Sequence, residues 1–269
     1  MNKFLRILKR IFVAVTIFYL IACIALFFLQ EKLIFFPEHL DPDYKFTFSG
    51  SFEEKFIKTK DNALLHGLLF HADSSKGLIF YLHGNGGSLR RWGEVAKTYT
   101  DLHYDVFMLD YRSYGKSTGH IHGQEQLFED DQLAYETLKK EYSEDKIVVL
   151  GYSIGSGLAA QLAAHNKPKM LVLQAPYYSL TDMMKHTVPI VPTFILQYKF
   201  ETFKYLGTCK MPIVIFHGNR DEVIYYESSL RLKEKFKPGD TLITLDGQGH
   251  NGITDNDEYR LAIKRILSN

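Results

Sequence analysis

Ile147-Val148-Val149-Leu150-Gly151-Tyr152-Ser153-Ile154-Gly155, followed by Leu158-Ala159-Ala160-Gln161-Leu162, is the stretch whose reading decides the fold. An apolar, β-branched run leads into a G-x-S-x-G turn, and a helix-like run leaves it. A strand buried on both faces reads as such an uninterrupted apolar run. A sharp strand-to-helix turn lifts Ser153 above the sheet edge, and the small residues around it permit the backbone conformation. The helix that follows points its first N–H groups at any negative charge developing beside the serine.

Working outward, further short apolar runs read as strands at Lys55–Lys58, Leu64–Phe70, Leu78–His83, Asp105–Asp110, Lys146–Gly151, Met170–Ala175, Ile213–His217 and Leu242–Asp246. Helical periodicity predicts helices over Leu89–Tyr99, Gln124–Tyr142, Ile154–His165, Glu227–Phe236 and Asn256–Leu267. Strands alternating with helices predict an α/β fold with helices on both faces of a mostly parallel, eight-stranded sheet. The first two strands have no helix between them and are expected to form an antiparallel edge. Tyr177–Thr208 breaks the alternation, carries Pro189, Pro192 and many aromatics, and is expected to form a short cap over the site (about 177–208).

A nucleophilic serine needs a histidine base, and the histidine needs a carboxylate to hold its tautomer. Asp221 follows the strand that ends His217-Gly218, and His250 follows Leu242–Asp246 in Gly247-Gln248-Gly249-His250-Asn251. Ser153, Asp221 and His250 therefore form the expected catalytic set, with Glu222 the competitor of Asp221 and His217 read as a structural strand-end residue. The glycine-rich His83-Gly84-Asn85-Gly86-Gly87 closes an early strand. It is expected to supply an oxyanion-binding amide from Asn85, with Gly86 as the alternative, beside the amide of Ile154. His83 is read as bracing that loop.

These residues resemble the α/β-hydrolase superfamily, and within it the membrane-anchored Bem46-like group that also contains α/β-hydrolase domain-containing protein 13. The resemblance rests on Gln30–Pro37, His83–Gly87, Asp110-Tyr111-Arg112-Ser113-Tyr114-Gly115-Lys116-Ser117, Gly151–Gly155, His217–Asp221 and Gly249-His250-Asn251. It implies an α/β-hydrolase fold and a serine hydrolase, with Asp110 and Arg112 as structural organisers near the site. Ser113 stands where the group usually has glycine, which bears on a turn and not on the triad.

Ile11–Leu29 holds no charge, and as a helix it would be about 28 Å long, close to the thickness of a bilayer's hydrocarbon. Lys3, Arg6, Lys9 and Arg10 precede it, so residues 1–30 are expected to be a single-pass anchor. The N-terminus then lies in the cytoplasm and the hydrolase domain, 31–269, outside it. Leu20-Ile21-Ala22-Cys23 resembles a lipobox, which makes a lipoprotein anchor at Cys23 the alternative; the apolar Ile-Ala-Leu-Phe-Phe-Leu after it favours an uncleaved helix.

The chain has 269 residues, 46% of them hydrophobic and 23% charged, which excludes a disordered protein. The net charge of +1 is uneven. With the four basic residues of the anchor set aside, 28 basic residues face 31 acidic ones, and a slightly acidic body argues against a nucleic-acid partner. Cys23 and Cys209 have no zinc spacing, and His120-Ile121-His122 lacks a third ligand, so no metal is expected. No nucleotide-binding glycine motif is present, and no cofactor is expected. The expected function is hydrolysis of an ester or thioester of an acyl substrate, a lipid or lipidated protein, through an acyl-enzyme. The alternatives are a serine peptidase or amidase of the same fold, and a catalytically silent, membrane-tethered interaction module.

Overall fold

The computed structural model describes residues 3–268. Its centre is one eight-stranded sheet: β1 Ser51–Lys58, β2 Leu64–His71, β3 Leu78–Leu82, β4 Asp105–Asp110, β5 Ile147–Tyr152, β6 Met170–Gln174, β7 Ile213–Gly218 and β8 Thr241–Leu245. The spatial order is β1-β2-β4-β3-β5-β6-β7-β8. β2 runs antiparallel to both β1 and β4, and every other pairing is parallel. The antiparallel edge expected from the short β1–β2 connection is present.

Side-chain alternation along the strands divides the interior into two cores. Leu78, Phe80, Leu82, Phe107, Val149 and Leu171 point to one face. That face is covered by the helices Gln124–Leu138 and Gly155–His165, through Leu127, Tyr135, Leu138, Leu158 and Leu162. Ile79, Tyr81, Val106, Val148 and Val172 point to the other. It is covered by Leu89 and Tyr99 of the short helices after β3 and by Tyr259, Ile263 and Leu267 of the helix Asp257–Ser268.

Three local departures from the sequence reading have physical causes. The helix expected over Leu89–Tyr99 breaks into Leu89–Trp92, a 3-10 turn at Gly93–Val95, and Ala96–Thr100. The Phe48 ring presses on Gly93, where a Cβ would sit 2.3 Å from it. The helix begun at Gln124 ends at Leu138, because Lys139–Tyr142 forms a turn that brings the Tyr142 hydroxyl to Asp105 (2.6 Å). The 177–208 segment is partly helical, with Leu180–Thr187, a 3-10 turn at Thr193–Ile195 and Thr202–Leu206. Its first helix starts where the Ser179 hydroxyl accepts from the Asp182 amide (3.0 Å), an N-cap that satisfies an otherwise unpaired N–H.

Before the sheet, one helix runs through Lys3–Ile34, 32 residues and about 48 Å. It is long and apolar enough to cross a membrane, and Phe12, Phe18 and Phe28 are each more than 70% exposed. Its C-terminal end is tied to the body by a two-residue parallel ladder, Phe36–Pro37 against Gly86–Gly87. Cys23 and Cys209 are free thiols.

Candidate active site

Ser153 follows the last residue of β5 and precedes the helix Gly155–His165, with a left-handed φ of 53°. A non-glycine residue rarely takes this conformation, and it holds only where the surroundings enforce it. Here the Ser153 amide donates to Gln174 O (2.9 Å) at the end of neighbouring β6. The flanking glycines admit the close approach of three elements. A Cβ on Gly151 would lie 2.4 Å from Gly155 O, and one on Gly155 would lie 2.2 Å from Leu82 O.

His250 and Asp221 arrive from the loops after β8 and β7. His250 Nε2 is 3.0 Å from Ser153 Oγ, and His250 Nδ1 is 2.8 Å from Asp221 Oδ2. The competing acid, Glu222, accepts from the His250 backbone amide (3.3 Å) and leaves the imidazole to Asp221. Asp221 is fully engaged: Oδ1 accepts from the Val223 and Ile224 amides (2.9 and 2.8 Å). Burial alone would raise the Asp221 carboxyl. Hydrogen bonds from His217 and His250 outweigh it and hold the group well below the usual carboxylate range.

His217 is more than a strand end. Its Nε2 lies 3.2 Å from Asp221 Oδ2 and 3.0 Å from Ile224 O, while Nδ1 meets Ser229 Oγ at 2.6 Å. Nδ1 accepting the Ser229 hydroxyl leaves the proton on Nε2, facing the acid. Spacing in the sequence carries no signal for this contact.

The loop His83–Gly87 leaves β3 next to the Ser153 turn, since Leu82 pairs with Gly151. Among the described residues, neither the Asn85 amide nor the Ile154 amide has a hydrogen-bond acceptor. Gly86, the alternative donor, is level with Phe36 in the two-residue ladder, where Gly87 O accepts from the Glu38 amide (2.9 Å) and Gly86 O accepts from Trp92 Nε1 (2.8 Å). The Tyr114 hydroxyl donates to Asn85 O (2.6 Å) and accepts from the Phe36 amide (3.2 Å), and the Tyr177 hydroxyl donates to Ile154 O (3.1 Å). Both residues are thus held through their carbonyls while their N–H groups stay unpaired. His83 Nδ1 lies 2.7 Å from Gly84 O, and its ring stacks on Trp92.

The two organisers lie apart in role. Asp110 Oδ1 accepts from the Leu89 amide (3.0 Å), at the start of the helix after the glycine loop. Arg112 forms two forks, on Asp61 (2.6 and 2.9 Å) and on Asp130 (2.6 and 2.9 Å), and touches no member of the Ser153–His250–Asp221 set. Ser113 takes the left-handed conformation, φ 68°, that glycine adopts more readily. The His120 and His122 ring centroids are 6.4 Å apart.

A hydroxyl, an imidazole and a carboxylate in hydrogen-bond series can deliver an activated nucleophile, and two unpaired amides can receive an oxyanion. Comparison with known proteins follows the same line. Residues 73–206 match the family described as serine aminopeptidase, S33. Protein bem46 of Schizosaccharomyces pombe is 30% identical over 189 residues, covering 66% of this chain and 63% of that protein. The protein is a Bem46-like α/β-hydrolase. An uncharacterized protein of Acanthamoeba polyphaga mimivirus is 26% identical over 243 residues, 81% of this chain and 82% of the relative. Among solved structures, the Pyrococcus furiosus esterase Pf2001 superposes with a TM-score of 0.69 at 22% identity, covering 87% of this chain and 97% of its own. Est1E from Butyrivibrio proteoclasticus gives 0.62 at 18%, covering 80% and 97%. At these identities the structural likeness speaks for the fold. The Bem46-like hydrolase thus has the architecture of a serine hydrolase, and its chemistry is argued from its own residues.

Proposed function

We propose that this hydrolase cleaves an ester or thioester of an acyl substrate at a membrane, with Ser153 as nucleophile, His250 as general base and acid, and Asp221 as the carboxylate that orients it. The observation that carries the reading is the 3.0 Å and 2.8 Å hydrogen-bond series from Ser153 Oγ through His250 to Asp221, set on a left-handed turn. Ser153 Oγ attacks the acyl carbonyl while its proton passes to His250 Nε2. The carbonyl oxygen becomes an oxyanion that accepts from the Asn85 and Ile154 amides; each such donor contributes about 2.7–4 kcal/mol of barrier lowering. Collapse breaks the carbonyl–leaving-group bond, and the alcohol or thiol departs with the proton from His250. Water then repeats the sequence on the acyl-serine and releases the acid.

The N-terminal helix, with its basic residues on the N-terminal side, supports a single-pass anchor that keeps the body outside the cytoplasm and near lipids or lipidated proteins. A lipid-modified Cys23 is the other form of anchor, separable by the mass of the mature chain.

A second reading has one observation behind it. The matching family is described as an aminopeptidase, and the Glu222 carboxylate beside His250 offers a partner for a substrate amine.

The test uses the full chain in detergent micelles, as wild type and as Ser153→Ala. It measures fluorophosphonate labelling and turnover of p-nitrophenyl esters and of aminoacyl p-nitroanilides. The expected result is ester turnover and labelling that Ser153→Ala abolishes, a loss of about 10⁴-fold or more. Anilide turnover exceeding ester turnover would install the peptidase reading. A folded wild type that neither labels nor turns over any substrate would remove both and leave an interaction module.

A further inference from the structure

The cap and the N-terminal helix do not merely adjoin. The Tyr19 hydroxyl donates to Ile190 O (2.7 Å), the Gln197 amide donates to Gln30 Oε1 (2.8 Å), and the Tyr198 hydroxyl donates to Glu31 Oε1 (2.6 Å). From Glu31 back to Tyr19 is about 18 Å of helix, so the cap follows the helix to the middle of its uncharged run. The cap is suited to that depth. Thr187–Tyr198 contains no charged residue, while Lys185 precedes it and Lys199 follows it. Ile190 and Phe194 are 75% and 84% exposed, although they belong to the body of the protein. In water such a tip is costly; against hydrocarbon it is not.

Between helix and cap lies a cavity of about 250 Å³. Leu26, Leu33 and Ile34 of the helix face Leu180, Met184 and Val191 of the cap across it. Its one polar neighbour, Gln30, has its amide nitrogen engaged by Phe27 O (2.8 Å) and its oxygen by the Gln197 amide. Apolar cavities of roughly 150 Å³ already stay dry and take up hydrocarbon ligands.

Each wall of this cavity continues along the chain into a segment that touches the candidate site loops. Ile34 is two residues from Phe36, which pairs with Gly86 beside Asn85. Leu180 is three residues past Tyr177, whose hydroxyl holds Ile154 O. We infer that this cavity is the binding site for the acyl chain of the substrate, and that the chain enters it laterally from the bilayer, between the anchor helix and the cap. The carbonyl then reaches the Asn85 and Ile154 amides with its hydrocarbon tail still inside the membrane. This inference rests on the hydrolase reading for its substrate and on the cavity for its ligand.

The experiment places the full chain in phosphatidylcholine vesicles doped with phosphatidylcholine bearing a diazirine on its acyl chain, and maps photo-adducts by mass spectrometry. In parallel, kcat/KM for p-nitrophenyl esters from acetate to decanoate is measured for wild type, Met184→Trp, which fills the cavity, and Met184→Ala, which enlarges it. Fluorophosphonate labelling reports a folded site in each. The expected adducts fall on Leu26–Ile34 and Leu180–Leu196. Wild type gains up to about fourfold in kcat/KM per methylene until the cavity is full. Met184→Trp lowers the decanoate-to-acetate ratio at least tenfold, and Met184→Ala moves the optimum to a longer chain. Unchanged ratios in both variants, or adducts confined to Ile11–Ile24, overturn the acyl site while ester hydrolysis stands. Adducts at the cavity in a protein that hydrolyses no ester uphold the chain site and remove the hydrolase reading instead.

Discussion

Two aspartates with buried side chains in this molecule each stand beside two histidines, and only one of the groups ends on a serine hydroxyl. Asp221 has His217 on one side and His250 on the other, and the far nitrogen of His250 meets the Ser153 hydroxyl. Asp110 has His66 Nδ1 at 3.4 Å and His83 Nε2 at 3.7 Å, but the far nitrogen of His66 is bound to Glu54 (3.0 Å), which also pairs with Lys116 (2.6 Å). His66 and His83 are fully buried, and Asp110 spends its second oxygen on the Leu89 amide. The same residue types thus build a hydroxyl–imidazole–carboxylate series in one place and a bracket in the other. What separates them is the partner of the second imidazole nitrogen: a free hydroxyl beside unpaired amides, or another carboxylate.

The contrast breaks if the two aspartates respond alike to substitution. Asp221→Asn is expected to lower kcat for ester hydrolysis by about 10⁴-fold, because the imidazole loses its tautomer. Glu222→Gln should stay within a few-fold of wild type. A Glu222 effect equal to that of Asp221 would move the acid to Glu222.

Asp110→Ala should act on stability first. It strands the Leu89 amide and one face of His66 in the interior, a cost of about 2–3 kcal/mol. That corresponds to a fall in Tm of roughly 4–12 °C by differential scanning fluorimetry. Activity per active site, normalised to fluorophosphonate titration, should fall less than tenfold. A 10³-fold loss at full occupancy would place Asp110 in the chemistry.

A third carboxylate sharpens the comparison because it has no histidine at all. Asp131 is buried on the helix Gln124–Leu138, neither of its oxygens has a hydrogen-bond partner, and burial followed by the charge of Asp130 pushes its carboxyl well above the ordinary range. The folded chain therefore holds this proton where the unfolded chain gives it up. Stability contributed here is complete below the unfolded value, near pH 4, and declines as pH rises toward the folded one. Asp131→Asn removes the titration. Its Tm should match that of wild type near pH 4 and exceed it at pH 8, by roughly 2–4 °C for each kcal/mol recovered. Parallel curves for the two proteins across that range would mean Asp131 is ionised and paired in the fold.

Most of the sheet was legible in the sequence because its parallel strands are buried on both faces, so that Ile147–Leu150 and Ile213–Phe216 read as bare apolar runs. The strand ends that carry Ser153, Asp221 and His250 could be read for the same reason. Contacts between remote segments could not. No local pattern announces that His217 reaches Asp221, or that Phe36 pairs with Gly86 next to Asn85. The cap helix did leave a local trace, Ser179-Leu180-Thr181-Asp182, a serine with an acid three residues on, obscured by the prolines after it.

The ladder of Phe36–Pro37 on Gly86–Gly87 is only two residues long, yet it begins two residues after the long helix ends. A helix that adjusts its tilt to a thinner or thicker bilayer moves its ends. In the proposed anchor such a displacement would meet no slack linker, since the ladder that starts at Phe36 sits next to Asn85. With the proposed anchor in a bilayer, membrane thickness would be coupled to the position of the proposed oxyanion donor, and lipid composition would become a mechanical input to the rate.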